Sequence, residues 1–148
     1  SIPANGILKQ GRVWVQGFNS QLISIPTTTK EIAQENFTRE GCQIFKGFHY
    51  LYNLSRTGPD CSAETLLHWF PIVKDGQLTA TGLFLLAKVN PVPGQRDWFE
   101  RPPSIGLRIL IPRAPDCLYQ LADDYTVTST HIYYVDNPLS ILCPLILL

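Results

Sequence analysis

Charged side chains are scarce in this chain, and their scarcity excludes some classes of partner. Only 16% of the 148 residues are charged, and the twelve basic side chains are balanced by twelve acidic ones. A protein that binds nucleic acid by neutralising phosphates needs an excess of basic residues, which is missing here. No apolar run reaches the ~20 residues that a membrane-spanning helix requires. We therefore expect neither a nucleic-acid partner nor a transmembrane segment.

Methionine is absent altogether, and the chain begins at Ser1 without the basic and apolar regions of a signal peptide. We interpret the chain as a mature product or an excised domain. With 45% apolar and 11% aromatic residues, it has the composition of a folded protein rather than a disordered one. Its length suits one domain, and we expect a single β-rich domain over residues 1–148.

Closely spaced cysteine pairs are also lacking, and zinc sites and thioredoxin-like motifs need such pairs. The four cysteines, Cys42, Cys61, Cys117 and Cys143, are instead widely spaced. An even number at wide spacing predicts two disulfides, for which three pairings exist. We favour Cys42–Cys61 and Cys117–Cys143, because each would tie the ends of a hairpin. The alternative is four buried free thiols in a cytosolic protein.

Two asparagines lie in glycosylation sequons, Asn36-Phe37-Thr38 and Asn53-Leu54-Ser55. Together with the even cysteine count, Asn36 and Asn53 indicate a glycoprotein. We expect a secreted or extracellular surface location.

Twelve prolines and ten glycines interrupt the chain at short intervals, which leaves little room for long helices. Thr28 and Glu31 form a capping box and predict one short helix near 29–37. Leu118 to Tyr125 is ambiguous and fits a helical turn. An Asp75-Gly76 pair between two apolar runs predicts a hairpin. Alternation and β-branched or aromatic residues predict strands over 12–16, 21–25, 44–52, 66–73, 77–89, 104–111, 126–135 and 139–148.

This density of strands predicts an all-β fold, either a β-sandwich or a jelly roll. The alternative is a small lipocalin-like barrel. The early Gly-x-Trp signature of lipocalins is absent, since Trp14 follows Gly11 by three residues.

A proline-bracketed loop over 95–103 carries two bulky apolar side chains, Trp98 and Phe99, beside Arg96 and Arg101. Trp and Arg dominate binding hot spots, and prolines reduce the entropy that a loop loses on binding. These four residues are therefore candidates for a recognition surface. The alternative is that both aromatic rings fold back and close one end of the sandwich.

A second aromatic group lies on the strand that contains Phe48, Tyr50 and Tyr52, which alternation places on one face. His49 and Leu51 must then point to the other face. Tyrosines line both glycan platforms and apolar ligand cavities, so Tyr50 and Tyr52 are candidate binding residues. An aromatic core explains the same pattern.

Catalytic and metal-binding motifs are absent from the sequence. His49 and His68 lie in strongly apolar predicted strands, and His131 lies between Thr130 and Ile132. No nucleophile elbow, paired zinc histidines or phosphate loop accompanies them. We interpret them as hydrogen-bonded histidines in or beside the core. Asp123 and Asp124 lack the spacing of a calcium loop and are assigned to a solvated turn. We predict no catalytic residue, no metal and no cofactor.

Residues 139–148 are apolar except for Ser140. Such a segment must be buried, because an exposed apolar edge strand is an aggregation hazard. It is either a core strand or an interface between copies, so a homo-oligomer is possible. Removing Leu145 to Leu148 is expected to abolish folding or the oligomeric state.

These observations favour an extracellular, non-enzymatic module that binds a protein, a glycan or a small apolar ligand. The alternative is a self-assembling coat or matrix subunit. A small enzyme whose site is assembled from dispersed residues is the third hypothesis.

Overall fold

The computed structural model describes residues 12–54, 61–62 and 64–144. This part of the chain is mostly β and contains a five-stranded antiparallel sheet and a separate two-stranded hairpin. The strands are β1 (Arg12–Gln16), β2 (Leu22–Pro26), β3 (Phe37–Gln43), β4 (Gly47–Tyr52), β5 (Trp69–Lys74), β6 (Gln77–Leu85) and β7 (Thr128–Tyr133). The α-helices are α1 (Thr29–Gln34), α2 (Ser104–Leu110) and α3 (Asp116–Tyr125), and single 3-10 turns span Phe18–Ser20 and Pro138–Ser140.

The five strands of the large sheet follow each other in chain order from β3 to β7, and β1 pairs with β2. The predicted hairpin between β5 and β6 is confirmed. Asp75 and Gly76 both have positive φ, 51° and 84°, as a two-residue hairpin turn requires.

Both faces of the large sheet are covered. Helices α2 and α3 pack on one face, where the buried side chains are Leu51, Leu54, Leu66, Phe70, Ile72, Ala80, Phe84, Leu107, Ile111, Ala114, Leu118, Tyr119, Ala122 and Val127. The β1–β2 hairpin and α1 cover the other face, with Val13, Val15, Ile25, Ile32, Phe37, Tyr50, Leu67, Val73 and Leu78 buried there. Neither sheet closes on itself in the described part of the chain, so the β-rich character is confirmed and a sandwich or barrel is not.

The strand predicted over 104–111 is wrong, because this segment forms α2. Its alternating Ile105, Leu107 and Ile109 resemble a strand, but Ile105 and Ile109 are 69% and 72% exposed. The residues that face the core are Leu107, Leu110 and Ile111, three and four positions apart as on one side of a helix. The ambiguous segment 118–125 belongs to α3.

The capping box that predicts the first helix is confirmed. The Glu31 N–H donates to Thr28 Oγ1 over 3.3 Å, and the Thr28 hydroxyl donates to Glu31 Oε1 over 3.0 Å. The helix ends at Gln34, three residues before its predicted end.

Five other predicted strands differ from the structure in length, in position or in being absent from the described residues. Residues 44–46 form a turn before β4, and β5 begins only at Trp69. β6 and β7 are both shorter than expected. Residues 139–144 form no strand, and the residues proposed for truncation, 145–148, lie outside the described part.

All four cysteines are paired, so two disulfides are confirmed, but the favoured pairing is wrong. Cys42 bonds to Cys143 and Cys61 bonds to Cys117. The favoured pairing assumed that each bridge closes a local hairpin. Instead, one bridge joins β3 to the C-terminal segment and the other joins the region after β4 to α3. Among the described residues, no helix is long and apolar enough to cross a bilayer.

Candidate functional site

A cavity of about 70 Å³ lies between the large sheet and helices α2 and α3. Its walls are mainly apolar and are formed by Phe70, Phe84, Pro102, Leu107, Leu110, Ile111, Leu118 and Val127. Polar side chains also line it, namely Gln43, His49, Glu100, Ser129 and His131. The strands supply the aromatic and most of the polar groups, and the helices supply aliphatic ones.

Phe70 occupies its place in the cavity wall because its neighbour has no side chain. Gly82 on β6 pairs with Phe70 on β5 and with His131 on β7, so it lies between them in the sheet. A Cβ atom at position 82 would lie 2.2 Å from Phe70 Cζ. Glycine therefore lets the ring extend across β6, where it makes a T-shaped contact with the His131 ring at a centroid distance of 5.8 Å.

His49 lies against the opposite side of the same phenylalanine. The His49 and Phe70 rings are stacked, with centroids 5.6 Å apart. His49 Nδ1 lies 3.3 Å from the Gly41 carbonyl oxygen, and since a carbonyl only accepts, Nδ1 carries the proton and donates. Burial lowers the pKa of His49 to about 4, the nearby His131 and Lys46 act in the same direction, and interactions with the Gly41 and Gly47 backbone oppose the shift. The ring is therefore neutral at pH 7, and its Nε2 is an acceptor.

His131 is also neutral at pH 7. Its pKa is lowered to about 4, mainly by burial, while Glu100 opposes the shift and Lys46 reinforces it. Its Nδ1 lies 3.8 Å from Glu100 Oε2. The two histidines thus bring ring nitrogens, and no positive charge, to the cavity.

Lys46 and Glu100 form an ion pair next to His131, with 3.1 Å between Lys46 Nζ and Glu100 Oε1. We call the part of the cavity around Glu100, His131 and His49 its polar end. The lysine side chain is 9% exposed and the glutamate side chain 49% exposed, so the pair extends from the interior to the surface. The Glu100 backbone is bonded to Ser129 on β7 in both directions, at 2.7 and 2.8 Å. This bridge attaches the segment before α2 to the edge of the sheet.

The groups that line the cavity provide apolar contact and hydrogen bonds. All four cysteines are in disulfides and offer no thiolate nucleophile. No group of three or more His, Cys, Asp or Glu side chains in the described residues is placed to hold a metal ion. What the cavity presents is apolar surface with hydrogen-bonding groups at one end.

The predicted loop residues lie beside the cavity rather than in it. Trp98 is 65% exposed, and the Arg96 guanidinium lies 4.1 Å above its ring. Arg101 donates to Asp97 Oδ2 over 2.7 Å and to the Val89 carbonyl over 2.8 Å. The bond from Arg101 lowers the pKa of Asp97.

Phe99 is partly buried, and its ring centroid is 5.9 Å from the Arg101 guanidinium. The loop is therefore braced, with Trp98 pointing outward.

The aromatic strand residues lie on the other face of the sheet. The predicted alternation is confirmed, because Tyr50 packs under the β1–β2 hairpin while His49 and Leu51 face the helices. Tyr50 is only 6% exposed, as the core alternative expects. The Tyr52 ring is 5.4 Å from Phe37 and lines a shallow groove.

The two sequon asparagines are neighbours in space. Asn36 precedes β3 and Asn53 follows β4, both are exposed, and the Asn53 N–H donates to the Asn36 carbonyl over 2.7 Å. Both side chains therefore emerge from the same end of one hairpin. Ser55 of the second sequon lies outside the described residues.

Most cavity residues were not identified from the sequence. The sequence identified His49 and His131 only as core histidines, and it did not indicate that both rings contact Phe70. Gly82, in the middle of an apolar strand, was the available signal, since a glycine there often marks a close approach. Comparison with known protein families, curated proteins and solved structures finds no match to this chain.

Proposed function

We propose that this protein is a non-enzymatic carrier or sensor of a small, largely apolar molecule held between the sheet and helices α2 and α3. The supporting observation is the cavity itself, a partly open space with mainly apolar walls and hydrogen-bonding groups at one end. Ligand sites are usually built in this way, with a few polar groups that orient an otherwise apolar ligand. The volume of about 70 Å³ restricts the ligand to a small molecule.

We also propose that the protein works outside the cell. Two disulfides are compatible with an oxidising compartment. The exposure of Asn36 and Asn53 is compatible with glycosylation at either position.

Two tryptophan substitutions in neighbouring positions of α2 test the cavity. Leu110 lines it, whereas Ile109 is exposed, so Leu110→Trp should fill the space and Ile109→Trp should not. A ligand that binds only the folded state raises the melting temperature. We expect toluene to raise it for the natural chain and for Ile109→Trp, but not for Leu110→Trp.

Two outcomes contradict the proposal. One is that toluene leaves the melting temperature of the natural chain unchanged at its solubility limit. The other is that it stabilises folded Leu110→Trp as much as Ile109→Trp, which would place binding elsewhere.

The second candidate function is recognition of a protein or glycan by the loop around Trp98. The observation that favours it is an exposed indole under Arg96, held on a loop whose other arginine is bonded to Asp97 and to the backbone. A braced aromatic side chain loses little conformational entropy when a partner covers it.

A further inference from the structure

We infer that the cavity selects an uncharged ligand with a hydroxyl or similar donor on an apolar body, for which phenol is the simplest example. This inference rests on the proposed function and adds the chemical class of the ligand. It follows from the charges and the hydrogen-bonding atoms at the polar end.

The lysine beside the cavity already has a partner. Lys46 is buried and its ammonium is 3.1 Å from Glu100, which is the only charged side chain among the described residues that line the cavity. A ligand carboxylate would meet Glu100 and find no unpaired cation. Burying a charge without a partner is strongly unfavourable, so carboxylates are excluded.

A cationic ligand fails because Lys46 already neutralises Glu100, the one carboxylate among the described residues that line the cavity. An ammonium group could approach the second oxygen of Glu100, but that carboxylate would then have to balance two positive charges. The ligand cation would also lie close to the Lys46 ammonium and be repelled by it.

The histidines favour a ligand that donates a hydrogen bond. Nδ1 of His49 is bonded to the Gly41 carbonyl, so the remaining nitrogen of this cavity-lining ring is an acceptor. A hydroxyl group can donate to it, whereas toluene has nothing to donate. The Phe70 and Phe84 rings, with centroids 6.1 Å apart, add an aromatic wall for the apolar body.

Three pairs of compounds with equal numbers of heavy atoms isolate these effects: phenol against toluene, benzamide against benzoate, and benzyl alcohol against benzylamine. Dissociation constants are measured by NMR titration of the natural chain at neutral pH. We expect phenol to bind about five- to tenfold more tightly than toluene, as one hydrogen bond allows. We expect each charged compound to bind at least about tenfold more weakly than its neutral partner.

Lys46→Met tests the role of the lysine charge by removing it. It keeps an unbranched apolar stem but leaves Glu100 unpaired, so the preference for benzyl alcohol over benzylamine should shrink or invert. If this variant does not fold, the benzamide and benzoate pair in the natural chain decides alone.

The outcomes separate this inference from the proposed function. If none of the six compounds binds, the proposed function fails. If toluene binds but benzoate binds as well as benzamide, or phenol no better than toluene, the cavity is real and the inferred selectivity is wrong.

Discussion

At position 82 the absence of a side chain determines how the cavity wall is built. The Phe70 ring crosses Gly82 to reach His131, and His49 stacks on its other side. One glycine therefore positions an aromatic group between two neutral histidines.

A buried carboxyl is the second feature at the residue scale. The Glu40 carboxyl is buried, and one of its oxygens accepts from the Arg113 N–H over 3.0 Å.

Gly82→Ala should destabilise the protein by about 1–3 kcal/mol, because the new methyl group overlaps the Phe70 ring and forces it to move. The free energy of unfolding is measured by urea titration. Gly106→Ala is the control, since the nearest atoms to a Cβ there are 3.7 Å away and alanine favours a helix. If Gly82→Ala is as stable as Gly106→Ala, the close approach of Phe70 is wrong.

Glu40 should make the protein less stable as the pH rises. Burial raises the pKa of its carboxyl to about 7, against 4.5 for the ordinary side chain. Between these values the folded state holds a proton that the unfolded state has released, so stability falls with rising pH. Glu40→Gln should remove this loss. The free energy of unfolding of Glu40→Gln, relative to that of the natural chain, should therefore be about 1–3 kcal/mol more favourable at pH 8 than at pH 5.

Urea unfolding of both chains at the two pH values measures this difference. His49 and His131 contribute an opposite slope, because their lowered pKa values make stability fall as the pH drops from 6.5 towards about 4. That slope is common to both chains and cancels in the comparison. A constant difference between the chains at both pH values would contradict the raised pKa of Glu40.

At the scale of elements, short signals were reliable, whereas alternation was right for β1 and β4 and wrong for α2. The capping box at Thr28 and the Asp75-Gly76 turn act within a few residues, so their geometry can be read directly from the sequence. Alternation in α2 predicted a strand because Ile105 and Ile109 are apolar although exposed. The burial of Leu107, Leu110 and Ile111 depends on the distant sheet, which local periodicity does not encode.

The loop around Trp98 is the element with the most direct mutational test. Trp98→Ala removes an exposed indole, so we expect a melting temperature within about 2 °C of the natural chain. Phe99→Ala changes the partly buried neighbouring residue and should lower the melting temperature more than Trp98→Ala does. A large decrease for Trp98→Ala would mean that the indole closes the fold, as the alternative interpretation of the loop holds.

At the scale of the whole molecule, the candidate site depends on contacts between remote parts of the chain. The cavity is lined by residues from Gln43 to His131, contributed by strands and by both longer helices. Sequence reasoning could identify the histidines and the apolar segments, but it could not determine which segments meet. The disulfides show the same limit. Their number was predicted correctly, but the pairing was not, because it depends on which distant parts of the chain meet.

Peptide mapping without reduction should recover Cys42 linked to Cys143 and Cys61 linked to Cys117. The Cys61→Ala/Cys117→Ala double variant should lose about 2–5 kcal/mol of stability, because its bridge attaches α3 to the region after β4. Recovery of a peptide pair joining Cys42 to Cys61 would contradict this topology and with it the packing of α3 against the sheet.

Intermolecular NOEs between bound toluene and the protein locate the ligand directly. If the cavity is the binding site, the toluene protons should show NOEs to the methyl groups of Leu107, Leu118 and Val127, which lie on α2, on α3 and before β7. The methyl groups of Ile23, beside the shallow groove at Tyr52, should show none. NOEs to Ile23, without any to the three cavity residues, would contradict the assignment of this cavity as the functional site.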